Sequence, residues 1–176
     1  VSKLLALMGE AQLHVVANPL INITRQGRHD TYPKRRGMTR VPEQMASGLN
    51  VAFGHDCVMD PWYPLGSADM LEVAHMGLHV AQMTSREGMR QCFEAVTTNP
   101  ARVMGLEGYG LEPGNPADFV VLQAADPIEA IRLRANRLWV VRRGKIVAQA
   151  PRLESEVDWP GQPHTENFLF TPGSRA

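Results

Sequence analysis

The chain has 176 residues, enough to bury one full hydrophobic core, and its 18 basic residues balance 18 acidic ones. That balance excludes a nucleic-acid binder held by phosphate neutralisation, and with no apolar run of roughly 18 residues there is no candidate membrane span. No basic stretch followed by an apolar one opens the sequence, so no secretory signal is read; Cys57 and Cys92 are expected as reduced thiols in the cytoplasm.

Val1 to Met8 read as the end of an amphipathic helix stopped by Gly9, without a cap residue ahead of it. A chain that opens inside an element is expected to be the later part of something longer. Leu13-His14-Val15-Val16-Ala17 is a short apolar run ended by Asn18-Pro19, the pattern of a buried strand. Residues 22–37 carry Arg25, Arg28, Lys34, Arg35 and Arg36 and read as a long loop that either clamps an anion, or is solvated or pairs with acidic groups at an interface. A short helix is expected over 41–46, with Pro42 in its first turn and Gly48 as its stop.

Leu49 to Phe53 form the next apolar strand, and it runs into Gly54-His55-Asp56. Strand, loop, helix and strand at this spacing mark parallel βαβ units, whose carboxyl ends are where active sites are built. A Pro-rich turn leads to a strong helix over 67–83, a second over 86–97 and a short third beginning at Thr98-Asn99-Pro100. The character changes at Tyr109-Gly110. Phe119–Leu122 is a strand, and residues 138–148 form a hairpin that turns near Gly144. From Pro151 on, Pro, Gly, Glu and Ser dominate, and residues 151–176 are expected to be an extended or disordered tail.

Asp56 is the leading candidate for chemistry. A carboxylate at the end of a buried strand either binds a divalent metal and takes a proton from water, or caps the following turn. His55 points away from Asp56 if the strand continues and reads as structural. Cys57 also faces away on a continuing strand, but enters the pocket if the backbone turns there. Trp62 either walls a planar substrate or fills the rim. His75 and His79 share a helix face but lack the Glu of a His-Glu-x-x-His site, so they read as packing or hydrogen-bonding residues.

Several segments resemble the bacterial cytosine deaminases of the amidohydrolase superfamily. They are Val15-Val16-Ala17-Asn18-Pro19-Leu20, Gln26-Gly27-Arg28, Asp30-Thr31-Tyr32-Pro33-Lys34-Arg35-Arg36-Gly37, Phe53-Gly54-His55-Asp56, Asp60-Pro61-Trp62-Tyr63-Pro64-Leu65-Gly66 and His75-Met76-Gly77-Leu78-His79-Val80. Thr98-Asn99-Pro100-Ala101-Arg102 and Gly114-Asn115-Pro116-Ala117-Asp118 resemble the superfamily's C-terminal pattern. The resemblance covers residues 4–148. It implies an α/β fold: the C-terminal part of a (β/α)8 TIM-type barrel over 1–108, part of a small β-sandwich over 109–150, and the tail over 151–176.

It also implies one divalent metal, Fe(II) or Zn(II), and hydrolytic deamination of cytosine to uracil and ammonia by a metal-bound hydroxide. Asp56 matches the last-strand metal ligand that shuttles the proton, and Trp62 matches a residue lining the base. The implied partner is a pyrimidine base; a homo-oligomer is implied as well. The family's His-x-His strand, its middle-strand His, its proton-handling Glu, its base-polarising His and its base-binding Gln have no counterpart here. The chain alone is therefore expected to be inactive, the missing groups lying on an N-terminal portion of the barrel.

Cys57 stands where these deaminases carry a second Asp. Loss of that carboxylate would admit an apolar substituent at C5 of the ring, so 5-methylcytosine is an expected substrate. The alternatives are an isoguanine or other ring-amide amidohydrolase, and a non-catalytic half-barrel whose two strands expose their edges and associate.

Overall fold

A computed structural model describes residues 1–154 in full and the backbone of 156–159 and 162–165. Residues 155, 160, 161 and 166–176, which include the end of the expected tail, lie outside the described residues. The chain divides into two compact units, Val1–Glu107 and Gly108–Ala176.

The first unit is built of helices α1 (Ser2–Glu10), α2 (Pro19–Arg25), α3 (Val41–Ala46), α4 (Met70–Val80), α5 (Arg86–Glu94) and α6 (Thr98–Val103), with strands β1 (Val15–Ala17) and β2 (Val51–Phe53). The two strands pair in parallel, Val15 opposite Val51 and Ala17 opposite Phe53, as a βαβ unit requires. Helix α1 does not stop at Gly9. It runs to Glu10, ends at Ala11 and buries none of its residues, so Leu4 and Leu7 are exposed. An isolated glycine weakens a helix without ending it when the flanking residues favour helix. Strand β1 is not the buried strand expected: Ala17 is buried, whereas Leu13 and Val16 are exposed.

Segment 22–37 is not loop throughout either. Asn18-Pro19 ends β1 and at once opens α2, with Pro19 in the first turn, where its missing N–H costs nothing. Helix α4 starts at Met70 rather than at 67, because the Asp69 carboxylate caps it by accepting from Leu71 N at 2.7 Å and Glu72 N at 3.4 Å. Ser85 caps α5 through Gly88 N at 3.0 Å, and α5 ends at Glu94, short of the expected 97.

Strand β2 is fully buried, and its groups are answered on both sides. One side pairs with β1. On the other, Phe53 N donates to Ala95 O at 2.7 Å and the Asn99 side-chain amide donates to Val51 O at 2.9 Å. Asn99 is itself buried; Asn50 Nδ2 donates to its carbonyl at 3.1 Å, and Arg102 Nη1 to its Oδ1 at 3.3 Å. The expectation of two open strand edges is thus met on β1 alone: among the described residues no strand pairs with its outer edge.

The second unit holds an antiparallel sheet of β3 (Phe119–Leu122), β4 (Arg137–Arg142) and β5 (Lys145–Gln149) in that order. The β4–β5 hairpin turns at Arg143 and Gly144, both with positive φ. Helix α7 (Pro127–Leu133), unforeseen in the sequence, bridges β3 and β4. Asp126 caps it by accepting from Glu129 N at 2.8 Å, and Pro127 occupies its first turn. Within the expected tail, β6 (Glu156–Trp159) and β7 (Gln162–Thr165) pair as an antiparallel hairpin.

Candidate active site

The ladder between β1 and β2 runs one residue past the strand, with Gly54 N donating to Ala17 O at 2.9 Å. A Cβ on residue 54 would stand 2.4 Å from the Asn18 side-chain oxygen, so glycine alone lets Asn18 lie against the backbone here. From that position Asn18 Nδ2 reaches Asp56 Oδ2 at 3.5 Å. The backbone then leaves the extended conformation, and Asp56 sits in the left-handed region with φ of 65°.

That turn decides which way Cys57 faces. Its sulfur donates to Asp56 Oδ1 at 3.6 Å, so thiol and carboxylate lie side by side rather than on opposite faces. The strand alternation that would separate them has ended at Phe53, three residues before Asp56. Asp56 is exposed, Cys57 half-buried and His55 buried.

The loop beyond is organised by Asp60. Its Oδ1 accepts from Trp62 N at 2.9 Å and Tyr63 N at 2.8 Å, while Asp60 N donates to Tyr63 O at 3.1 Å. Short Asp side chains mimic a backbone turn in this way. The Tyr63 N–H and then the Cys57 thiol hold the Asp60 carboxyl below the usual carboxylate range. In return, the bond to Asp60 first, then burial, then Asp56 push the Cys57 thiol up to about 11. Cys57 is therefore a neutral hydrogen-bond donor at neutral pH, not a nucleophile. Trp62 is exposed on this loop, and its carbonyl accepts from Arg25 Nη1 at 3.4 Å.

The basic segment is occupied with itself. Arg35 grips Asp30 through Nε at 2.7 Å and Nη2 at 2.6 Å, Lys34 donates to Arg28 O at 3.0 Å, and Arg36 to Gln26 O at 3.1 Å. Arg35 thus pairs with an acidic group, while Lys34 and Arg36 bond to backbone carbonyls of the segment. The His75 and His79 rings lie tilted by 54° with centroids 4.6 Å apart on one face of α4, and His79 Nδ1 bonds to His75 O at 2.7 Å.

Among the described residues no group of three or more His, Cys, Asp and Glu is placed to hold a metal ion. Asp56 offers one exposed, oriented carboxylate. That fits a single ligand of a metal centre, not a centre by itself. Asn18 and Asp60 are the organising residues that pattern reading missed. Asp60-Pro61-Trp62 carries a turn signal for the second; nothing in the sequence brings Asn18 to Asp56 across 38 positions.

A parallel pair of strands ending in this Gly-His-Asp turn, wrapped by helices, places the chain in the amidohydrolase family, whose model matches residues 1–148. Within it, the chain is similar to the crystal structure of 5-methylcytosine deaminase from Klebsiella pneumoniae liganded with 5-fluorocytosine, at 38% identity and a TM-score of 0.84 over 92% of this chain and 39% of that one. It is similar to N-isopropylammelide isopropylaminohydrolase from Burkholderia multivorans, at 35% identity and a TM-score of 0.72 over 84% of this chain and 34% of that one. Pterin deaminase from Rhizobium rhizogenes is 30% identical over 80% of this chain and 32% of its own length. The chain thus spans between 32% and 39% of the length of these three proteins. No helix among the described residues is long and apolar enough to cross a membrane.

Proposed function

We propose that this chain carries one side of the active site of a hydrolytic deaminase acting on cytosine or a 5-substituted cytosine such as 5-methylcytosine. The observation that carries the reading is the pairing of the Cys57 thiol with the Asp56 carboxylate, in a chain 38% identical to a 5-methylcytosine deaminase. Asp56 is one metal ligand and the group that accepts and returns the proton during deamination. A divalent ion, Fe(II) or Zn(II), supplies the activation of water when bound, and its other ligands lie on a segment outside these 176 residues. Cys57, a neutral thiol without a carboxylate's hydration, lines the pocket where a 5-methyl group would rest. Trp62 covers the flat base. A homo-oligomer belongs to the same reading and rests on resemblance alone; a cytoplasmic location is proposed with it.

Turnover of cytosine and 5-methylcytosine by the complete enzyme, with Asp56→Asn and Cys57→Asp, tests the proposal. Asp56→Asn should abolish both activities. Cys57→Asp should lower the ratio of 5-methylcytosine to cytosine turnover; an unchanged ratio would sink the role of Cys57.

A second reading, a ring-amide amidohydrolase acting on a bicyclic base, is favoured by the likeness to pterin deaminase. Competition by purines and pterins against cytosine separates the two. Intact-mass analysis of the purified material decides whether a second polypeptide completes the site.

A further inference from the structure

Strand β2 ends at Phe53, yet the side chains of the site lie two to four residues beyond it, where no ladder fixes the backbone. Asp56 nonetheless holds a left-handed conformation, φ 65°, which Asp tolerates better than most residues but which still costs a residue with a Cβ, so contacts that hold the turn matter. The His55 ring spans this turn. Its Nδ1 lies 2.8 Å from the carbonyl oxygen of Cys57. A carbonyl only accepts, so the bond requires the proton on Nδ1.

The rest of the ring has a single seat. His55 is 8% exposed, and Nε2 is buried with no hydrogen-bond partner among the described residues. Tyr63 meets the ring edge-on, with centroids 6.1 Å apart and planes at 66°. Gly66 also lies against the ring: a Cβ there would stand 2.3 Å from Cε1 and 2.8 Å from Nε2, and 3.2 Å from the Tyr63 ring. An apolar filler of this space would need no nitrogen aimed at a carbonyl.

We propose that His55 is the positioning residue of this site. As the Nδ1–H tautomer it ties its own residue to the Cys57 carbonyl across Asp56, and so fixes the turn that sets carboxylate and thiol side by side. It acts through those two residues and touches neither the base nor the Asp56 carboxylate. Its functional meaning rests on the roles proposed above for Asp56 and Cys57; the tether itself does not.

Long-range ¹H–¹⁵N correlation spectra of the labelled chain at neutral pH test the tether, comparing the unaltered protein with His55→Asn, His55→Leu and Gly66→Ala. The expected pattern has Nδ1 protonated and Nε2 bare. In His55→Asn the side-chain amide nitrogen stands where Nδ1 stood, so the Asp56 and Cys57 backbone resonances should keep their positions. They should move in His55→Leu and in Gly66→Ala, which keeps the imidazole but displaces it. A proton found on Nε2 alone, or unmoved Asp56 and Cys57 resonances in both displaced variants, overturns the inference. Should His55→Leu fail to fold, the tautomer and Gly66→Ala still decide.

In the complete enzyme, His55→Leu should lower kcat on the order of 10- to 100-fold with KM little changed, and His55→Asn should restore it. Unchanged kcat in His55→Leu overturns the positioning role. Full turnover by Asp56→Asn instead removes the proposed role of Asp56, and the spectra then judge the tether alone.

Discussion

Replacing Asn99 with alanine tests how β2, and with it the site, is held. The Asn99 amide donates to Val51 O at 2.9 Å, and Val51 is wholly buried. Truncation strands that carbonyl away from water. Leaving a buried acceptor unmade costs about 1–3 kcal/mol, whereas the exposed end of the Arg102 contact adds little. The expected loss is therefore about 2 kcal/mol. Asn99→Asp keeps an acceptor for Arg102 but turns an oxygen toward Val51 O, so it should cost at least as much. Because the chain holds two compact units, a global melting curve would mix their responses. Amide hydrogen exchange reads the local effect: protection of Phe53 N–H, which bonds to Ala95 O beside Asn99, should fall about 30-fold. Protection within threefold of the unaltered chain in both variants would refute the reasoning and show that water or a shifted donor replaces the amide.

Cys57, with its thiol pushed up to about 11, should alkylate at pH 8 about 100-fold more slowly than a thiol near 9, and faster in Asp60→Asn. Peptide mass spectrometry separates it from buried Cys92, itself pushed up to about 12; alkylation at the rate of a free thiol would contradict the Asp60 and Asp56 contacts. Asp60 is a carboxyl depressed on folding, so the order it lends the loop is present above its ordinary pKa and lost as the pH falls through the depressed one. Trp62 fluorescence, with Trp62→Phe as the blank for the other indoles, should change below about pH 4. Asp60→Asn keeps a neutral acceptor and should abolish that change; an identical acid transition in this variant assigns it elsewhere. Gly54→Ala, whose new methyl would strike the Asn18 side chain, should disturb the Asp56 resonances without unfolding the chain, as seen by NMR.

Strand β2 and its polar Gly54-His55-Asp56 end were legible in sequence because an apolar run and its polar end are local properties. Pro19 and Pro42 show where local reading divides. Both sit in the first turn of a helix, but Asn18-Pro19 follows a strand, and its breaker signal hid its starter signal. Asp126-Pro127 was hidden in the same way, although Glu129 completes a recognisable N-terminal pattern: it accepts from Ala125 N at 2.6 Å while its own N–H bonds to Asp126. The site's organising contacts were less accessible. Asn18 to Asp56 and Asn99 to Val51 join residues 38 and 48 positions apart, and a period-two or period-3.6 pattern holds no information about such pairs. The side-by-side placement of Cys57 and Asp56 followed from one positive φ, which no residue type at position 56 announces.

The amide of Asn99 and the carbonyl of Ala95 give the little sheet a handedness of growth. An incoming strand finds one border of the β1–β2 pair already stitched to a helix and a side chain, and the other, among the described residues, made of bare peptide groups along Val16. Whatever extends this sheet, whether a further piece of barrel or a second copy of the chain, has one seam to sew along among the described residues, and that seam runs beside Asn18, one step from Asp56.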